Sequence, residues 1–166
     1  SVRPAGTPLG TPWHWYAGDS AAVGCGWTSP QPYSRHDVAV IDMAPGISAA
    51  RLEAMLTPRP EAVLLRAYGV GNVPSDEPGL TDVIADVLHD GVPVVIASQC
   101  QQAEVLLGHY ETGDAIARAG AIGSGDMTLE ATYAKIMFLL SQGVTGADFG
   151  KWMHTSIAGE ISPSSL

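Results

Sequence analysis

Glu61-Ala62-Val63-Leu64-Leu65-Arg66-Ala67-Tyr68-Gly69-Val70-Gly71-Asn72-Val73-Pro74 is the stretch on which the fold turns. Its apolar run, Ala62 to Leu65, has no polar alternation, which is the pattern of a strand buried on both faces of a helix-covered parallel sheet. Arg66, Ala67 and Tyr68 follow, and the run breaks at Gly69-Val70-Gly71-Asn72. Glycines at a strand's carboxyl end let the backbone turn sharply and approach a ligand closely. In open α/β sheets, ligands bind beyond the carboxyl ends of the strands. Here that place offers a guanidinium (Arg66), a phenol (Tyr68), a carboxamide (Asn72) and bare backbone N–H groups. These are the parts that hold a small amino-acid-like ligand.

Working upstream, Val38-Ala39-Val40-Ile41 reads as a buried strand and Pro45-Gly46 as a turn. Ser48 is an N-cap for a helix from Ala49 to Leu56, with Ile47 and Leu52 as a hydrophobic staple. That helix stops before Pro58, because a residue preceding proline resists helical angles. Downstream, Leu80, Val83, Ile84, Val87 and Leu88 predict an amphipathic helix with Asp82, Asp86 and His89 toward water. Gly91 ends it, and Val92 to Ala97 is the third strand, with Pro93 tolerated at its start. Ser98-Gln99-Cys100 then stands at the end of strand three as Arg66 to Asn72 does for strand two. Right-handed crossovers put both ends on one edge of the sheet, so Arg66, Asn72, Ser98 and Cys100 are expected near one another.

The remainder predicts a short helix from Thr112 to Ala119 and a loop at Ile122-Gly123-Ser124-Gly125. A long helix follows, capped by Asp126 or Thr128 and running through Leu140, with Leu129, Tyr133, Ile136, Met137 and Leu140 on one side. A last helix carries Phe149, Trp152 and Met153 behind a Thr145/Asp148 capping box. Residues 37–166 therefore read as one α/β domain of three layers, a small parallel sheet of about four strands flanked by helices, flavodoxin- or Rossmann-like. Residues 1–36 differ: Pro4, Gly6, Pro8, Gly10 and Pro12 forbid a helix, and Trp13, Trp15 and Trp27 punctuate the stretch. They read as a linker or arm, with a short edge hairpin around Trp13 to Tyr16 and Ala22 to Trp27. Trp13 and Trp15 either anchor a partner or cover the domain's own core.

The net charge of −9, without any basic run, argues against nucleic acid or an anionic membrane as partner. Low charged content suggests that some surface is buried against something else. Cys25 and Cys100 lie outside any metal-ligand spacing and read as two reduced thiols of a cytoplasmic protein. No apolar stretch reaches the length of a transmembrane helix, and the beginning lacks the order of a signal peptide.

The candidate site residues each have a plainer reading. Arg66 inside an apolar strand must pair with something, either a ligand carboxylate or an internal one such as Asp42 or Asp126. Asn72 suits an amide ligand or a left-handed turn. Ser98 is a site hydroxyl or a turn hydroxyl. Cys100 is a nucleophile, the wall of a small-ligand site, or an inert thiol. Asp126 is a helix cap or a partner of Arg66.

Four fragments in order and register, Leu65-Arg66-Ala67-Tyr68-Gly69-Val70-Gly71-Asn72, Ser98-Gln99-Cys100, Tyr110-Glu111-Thr112-Gly113 and Gly125-Asp126-Met127-Thr128-Leu129-Glu130-Ala131-Thr132, resemble the C-terminal domain of type I, cytoplasmic bacterial L-asparaginases. The likeness runs from about Asp37 to Glu160. It implies a larger N-terminal domain holding the catalytic threonines on TGGT and GTDT motifs, neither of which occurs in this chain. It therefore implies no catalytic residue here and no activity from this chain alone, and neither metal nor organic cofactor is expected from it. It further implies a homo-oligomer, and a regulatory asparagine site matching Arg66, Asn72, Ser98 and Cys100, with Tyr68 and Gln99 nearby. Ser98 stands where such domains more often carry threonine. Tyr110 and Glu111 read as a surface loop by default, at a place where such a domain could reach a neighbour's active site. Other readings are a stand-alone amino-acid-binding or dimerisation module, or the matching domain of a lysophospholipase-like enzyme or amidotransferase subunit.

Overall fold

The computed structural model describes residues 24–68, 79–99 and 116–162. Eight elements follow in chain order: β1 (Val38–Asp42), α1 (Ala49–Met55), β2 (Ala62–Ala67), α2 (Leu80–His89), β3 (Val94–Ser98), β4 (Ile122–Gly123), α3 (Leu129–Ser141) and α4 (Gly146–Met153). The four strands form one sheet in the order β1-β2-β3-β4, every neighbouring pair parallel. β2 is central and buried at every position except Arg66, as its unbroken apolar run requires.

Strand alternation sorts the core into two halves. Ile41, Val63, Leu65, Ala67, Val94 and Ile96 pack under Leu52 and Leu56 of the α1 region and Leu80, Ile84 and Val87 of α2. Ala62, Leu64, Val95, Ala97 and Ile122 pack under Ile136 and Leu139 of α3 and Phe149 and Met153 of α4. The result is the expected three layers. Among the described residues no helix is long and apolar enough to cross a membrane.

Local chemistry sets the element ends. Ser48 is extended, and its hydroxyl accepts from Arg51 N at 3.2 Å, opening α1. Thr128, not Asp126, caps α3, its Oγ1 accepting from Ala131 N at 3.2 Å. Asp126 instead accepts from the backbone N (2.9 Å) and the hydroxyl (2.5 Å) of Ser162, tying down the end of the described chain.

Four expectations need correction. Residues 122–123 are a strand, not a loop, because Ile122 and Gly123 pair with Val95 and Ile96. Thr145 caps α4 through its backbone conformation, but its side chain makes no capping bond. Residues 24–27 are not in a strand. The core-facing side of α3 runs through Thr132, Lys135, Ile136 and Leu139, while Tyr133 lies outside it, 40% exposed.

Lys135 explains that last correction. A sequence pattern reads lysine as solvent-facing, yet its side chain is buried. Its Nζ donates to the carbonyls of Met153 (2.9 Å) and Thr155 (2.7 Å) and pairs with Glu160 Oε1 at 2.6 Å. A buried ammonium survives when its protons are all taken up by oxygen. The loop so organised receives the arm. Cys25 N and Gly26 N donate to Ser156 O and Ile157 O, and Trp27 packs edge-on to Phe138 and against Trp152 at centroid distances of 5.2 and 4.5 Å. Trp27 thus covers this domain's own core; Trp13 and Trp15 lie outside the described residues.

Candidate functional site

The parallel register puts Asp42, Arg66 and Ala97 side by side across β1, β2 and β3, and Ala67 beside Ser98. The carboxyl ends of β2 and β3 are therefore neighbours on one edge of the sheet, as right-handed crossovers demand. Alternation then divides the side chains. Arg66 shares the α3/α4 face with Leu64 and Ala97, and Tyr68, two residues on, takes the same side. Ser98, two residues after Ile96, falls on the α1/α2 side.

Arg66 is half-buried. Its Nη1 lies 2.8 Å from Asp42 Oδ1, a carboxylate whose side chain is 62% exposed. Of the two internal carboxylates that could pair with it, Asp42 is the partner and Asp126 is not. Its Nε and the Tyr68 hydroxyl are both buried and have no hydrogen-bond partner among the described residues. A buried donor left unmade costs about 1–3 kcal/mol. Two such groups on one face of one strand end form a place where a ligand's acceptors would be well received.

Gln99 works from behind. Its backbone N donates to Ala67 O at 2.9 Å, and its side-chain Nε2 donates to Met43 O (3.0 Å) and Arg66 O (2.8 Å). Met43 N also donates to Arg66 O, at 3.0 Å. One amide thus clasps the ends of β1 and β2 to the end of β3, and its nitrogen is engaged with backbone. Asn72 and Cys100, and also Tyr110 and Glu111, lie outside the described residues. Among the described residues no group of three His, Cys, Asp or Glu side chains is placed to hold a metal ion.

Sequence reasoning missed the ionic group beneath α3. Burial pushes the Glu160 carboxyl up, but hydrogen bonds from Lys135 and the backbone N–H groups of Ile157, Ala158 and Glu160 itself outweigh it and hold it at about 2. Burial lowers Lys135, against the pull of Glu160. A lysine at the i+3 position from Thr132, on a stripe that is otherwise apolar, was the available signal.

A family model described as the glutaminase/asparaginase C-terminal domain matches residues 37–153. The chain is 38% identical over 135 residues to L-asparaginase 1 of Escherichia coli K12, covering 81% of this chain and 38% of that protein. It is 33% identical over 126 residues to a glutamyl-tRNA(Gln) amidotransferase subunit of Pyrococcus furiosus, covering 76% of this chain and 28% of that protein. Among solved structures it resembles L-asparaginase I from Vibrio cholerae with a TM-score of 0.74 and 36% identity, covering 80% of this chain and 40% of that one. The chain thus spans well under half the length of these relatives.

Proposed function

The chain belongs to the glutaminase/asparaginase C-terminal domain family, and from that premise we propose that it is the C-terminal part of an L-asparaginase-like amidohydrolase. The parent reaction would hydrolyse the side-chain amide of L-asparagine to L-aspartate and ammonia. This part contributes a dimer surface and an effector site for asparagine at the carboxyl edge of the sheet. It is silent without the catalytic domain, since an activated threonine and a group to take its proton are carried by TGGT and GTDT segments that this chain lacks.

The observation that supports the effector site is the pair of buried atoms without a partner among the described residues, Arg66 Nε and the Tyr68 hydroxyl. A guanidinium receives an α-carboxylate, and a phenol receives a further acceptor. Gln99 holds the backbone of Arg66 in place; the Ser98 side chain falls on the opposite face of the sheet and is no wall of this site, while Asn72 and Cys100 lie outside the described residues.

Titration calorimetry with L-asparagine tests this reading. The native chain releases binding heat and Arg66→Ala releases none; equal affinity in the two defeats the assignment. An ammonia-release assay on the chain alone reads zero. The likeness to the Pyrococcus amidotransferase favours a second reading, in which the parent enzyme acts on a glutaminyl or asparaginyl amide within a larger assembly. Competition between free asparagine and free glutamine at Arg66 separates the two.

A further inference from the structure

The opposite, amino-terminal edge of the sheet carries a second group of reactive side chains. Register pairs Val38 with Ala62, so the residues just ahead of β1 and β2 are neighbours. Glu61 N donates to Asp37 O at 2.8 Å, and Asp37 N donates back to Glu61 Oε2 at 2.7 Å. The carboxylate is thereby pinned. Its other oxygen, Oε1, lies 3.0 Å from His36 Nδ1. On the far side of the imidazole, Nε2 lies 2.8 Å from Ser34 Oγ.

Hydroxyl, imidazole and carboxylate are thus in hydrogen-bonding sequence, the arrangement that activates a serine. A carboxylate accepting from Nδ1–H fixes the tautomer with its lone pair on Nε2, the nitrogen that faces the hydroxyl. Hydrogen bonds from His36 and then from Asp37 N hold Glu61 below the usual carboxylate range, so it is ionised near neutrality. The His36 side chain is only 15% exposed, while Ser34 stands at the surface.

A cavity of about 310 Å³ adjoins this group, lined by Tyr33, Tyr133, Met137, Phe138 and Ser141 among others. Its link to Ser34 is direct: Ser34 N donates to Ser141 Oγ at 3.2 Å, and the two hydroxyls are 3.5 Å apart. Tyr33 and Tyr133 are exposed on its rim.

We propose that Ser34 is an acylatable nucleophile, with His36 as its general base and Glu61 as the carboxylate that orients the imidazole, and that it takes esters of small apolar acids whose acyl group enters the adjoining cavity. Ser34 Oγ bonds to the ester carbonyl carbon while its proton passes to His36 Nε2. The C–O bond to the alcohol then breaks, and the alcohol leaves with that proton. Water, deprotonated by His36 in turn, releases the acid and restores the hydroxyl. The nucleophile's own backbone N–H is engaged with Ser141 Oγ rather than free to receive an oxyanion, so acylation rather than fast turnover is the step to read. The proposal is independent of the effector site, which lies at the other edge of the sheet.

The test treats the whole chain with a fluorophosphonate and, separately, with p-nitrophenyl butyrate, followed by intact mass and peptide mapping. The expected result is one adduct, on Ser34, absent from Ser34→Ala. General-base assistance is typically worth about 100-fold or more, so His36→Gln slows labelling by about that factor, and Glu61→Gln slows it less. Ser34→Ala is a surface change that leaves the melting temperature unaltered. No adduct in the native chain, an adduct that persists in Ser34→Ala, or an unchanged labelling rate in His36→Gln each overturns the proposal. So does p-nitrophenol release without butyryl-Ser34, which assigns the chemistry to the imidazole alone.

Discussion

Replacing Glu160 by glutamine removes the acceptor that keeps the buried Lys135 ammonium in place, 2.6 Å away. The Glu160 side chain is 16% exposed, so solvent screens the pair little. Its fall from the ordinary 4.5 to about 2, at about 1.4 kcal/mol per pH unit, corresponds to about 3 kcal/mol of stability. The sign follows from proton counting. Between about pH 4.5 and 2 the unfolded chain binds a proton here that the folded chain does not, so the contribution is whole above 4.5, falls as the pH falls, and is gone below about 2. Urea unfolding at pH 7, 4.5, 3 and 2 measures it. Glu160→Gln is expected to cost about 3 kcal/mol at pH 7 and to flatten the acid limb. The lowered Lys135 is a burial cost, so the pair as a whole is worth less than the Glu160 shift. Lys135→Met with Glu160→Gln should therefore cost less than Glu160→Gln alone. An acid limb of unchanged slope in Glu160→Gln would refute the reasoning.

Arg66→Leu, read by thermal melting, should hold or raise the melting temperature while abolishing asparagine heat; a loss of several degrees would make the arginine structural. Gln99→Met strips the donor from the carbonyls of Met43 and Arg66, and urea unfolding should show a loss of about 1–3 kcal/mol. Ser48→Ala removes the hydroxyl that caps α1 and should cost about 1 kcal/mol in the same measurement. Gly24→Ala would set a Cβ 1.9 Å from Ile157 O, so the arm must leave the loop, and limited proteolysis near residue 24 should quicken.

The layers were legible because β2 opens on an unbroken apolar run, Ala62 to Leu65, and α2 repeats its apolar face every three to four residues; both patterns report burial directly. The position of Arg66 at a shared strand edge followed from crossover handedness alone. What the chain order could not display is a contact set by two elements at once. Lys135 reads as solvent-facing until the carbonyls of Met153 and Thr155 are brought beneath it. His36 and Glu61 are 25 residues apart, and they meet only because β1 and β2 start level; once Val38 is aligned with Ala62, the meeting is forced. Gln99 stands out in the sequence for its amide, but the carbonyls of Met43 and Arg66 claim that amide's nitrogen, and no side-chain pattern encodes where a backbone carbonyl will lie.

The energetics of Arg66 bear on why an arginine sits in that strand at all. An ion pair to an exposed carboxylate such as Asp42 contributes about 0–1 kcal/mol. An Nε left buried without a partner, as it is among the described residues, costs about 1–3 kcal/mol, and an aliphatic side chain on that face would join Leu64 and Ala97 in the core and add burial instead. Counted over the described residues alone, Arg66 therefore lowers stability. Tyr68 repeats the argument two positions on, with a hydroxyl that phenylalanine would not leave stranded. Local rules broken twice on one face, with no gain inside the described residues, are what the proposed effector site would account for. The deficit is also the size of what a carboxylate would return, since hydrogen bonds to charged groups contribute about 1.5–3 kcal/mol each. On the proposed reading, binding at this edge and stability of the domain are opposed through the same two atoms.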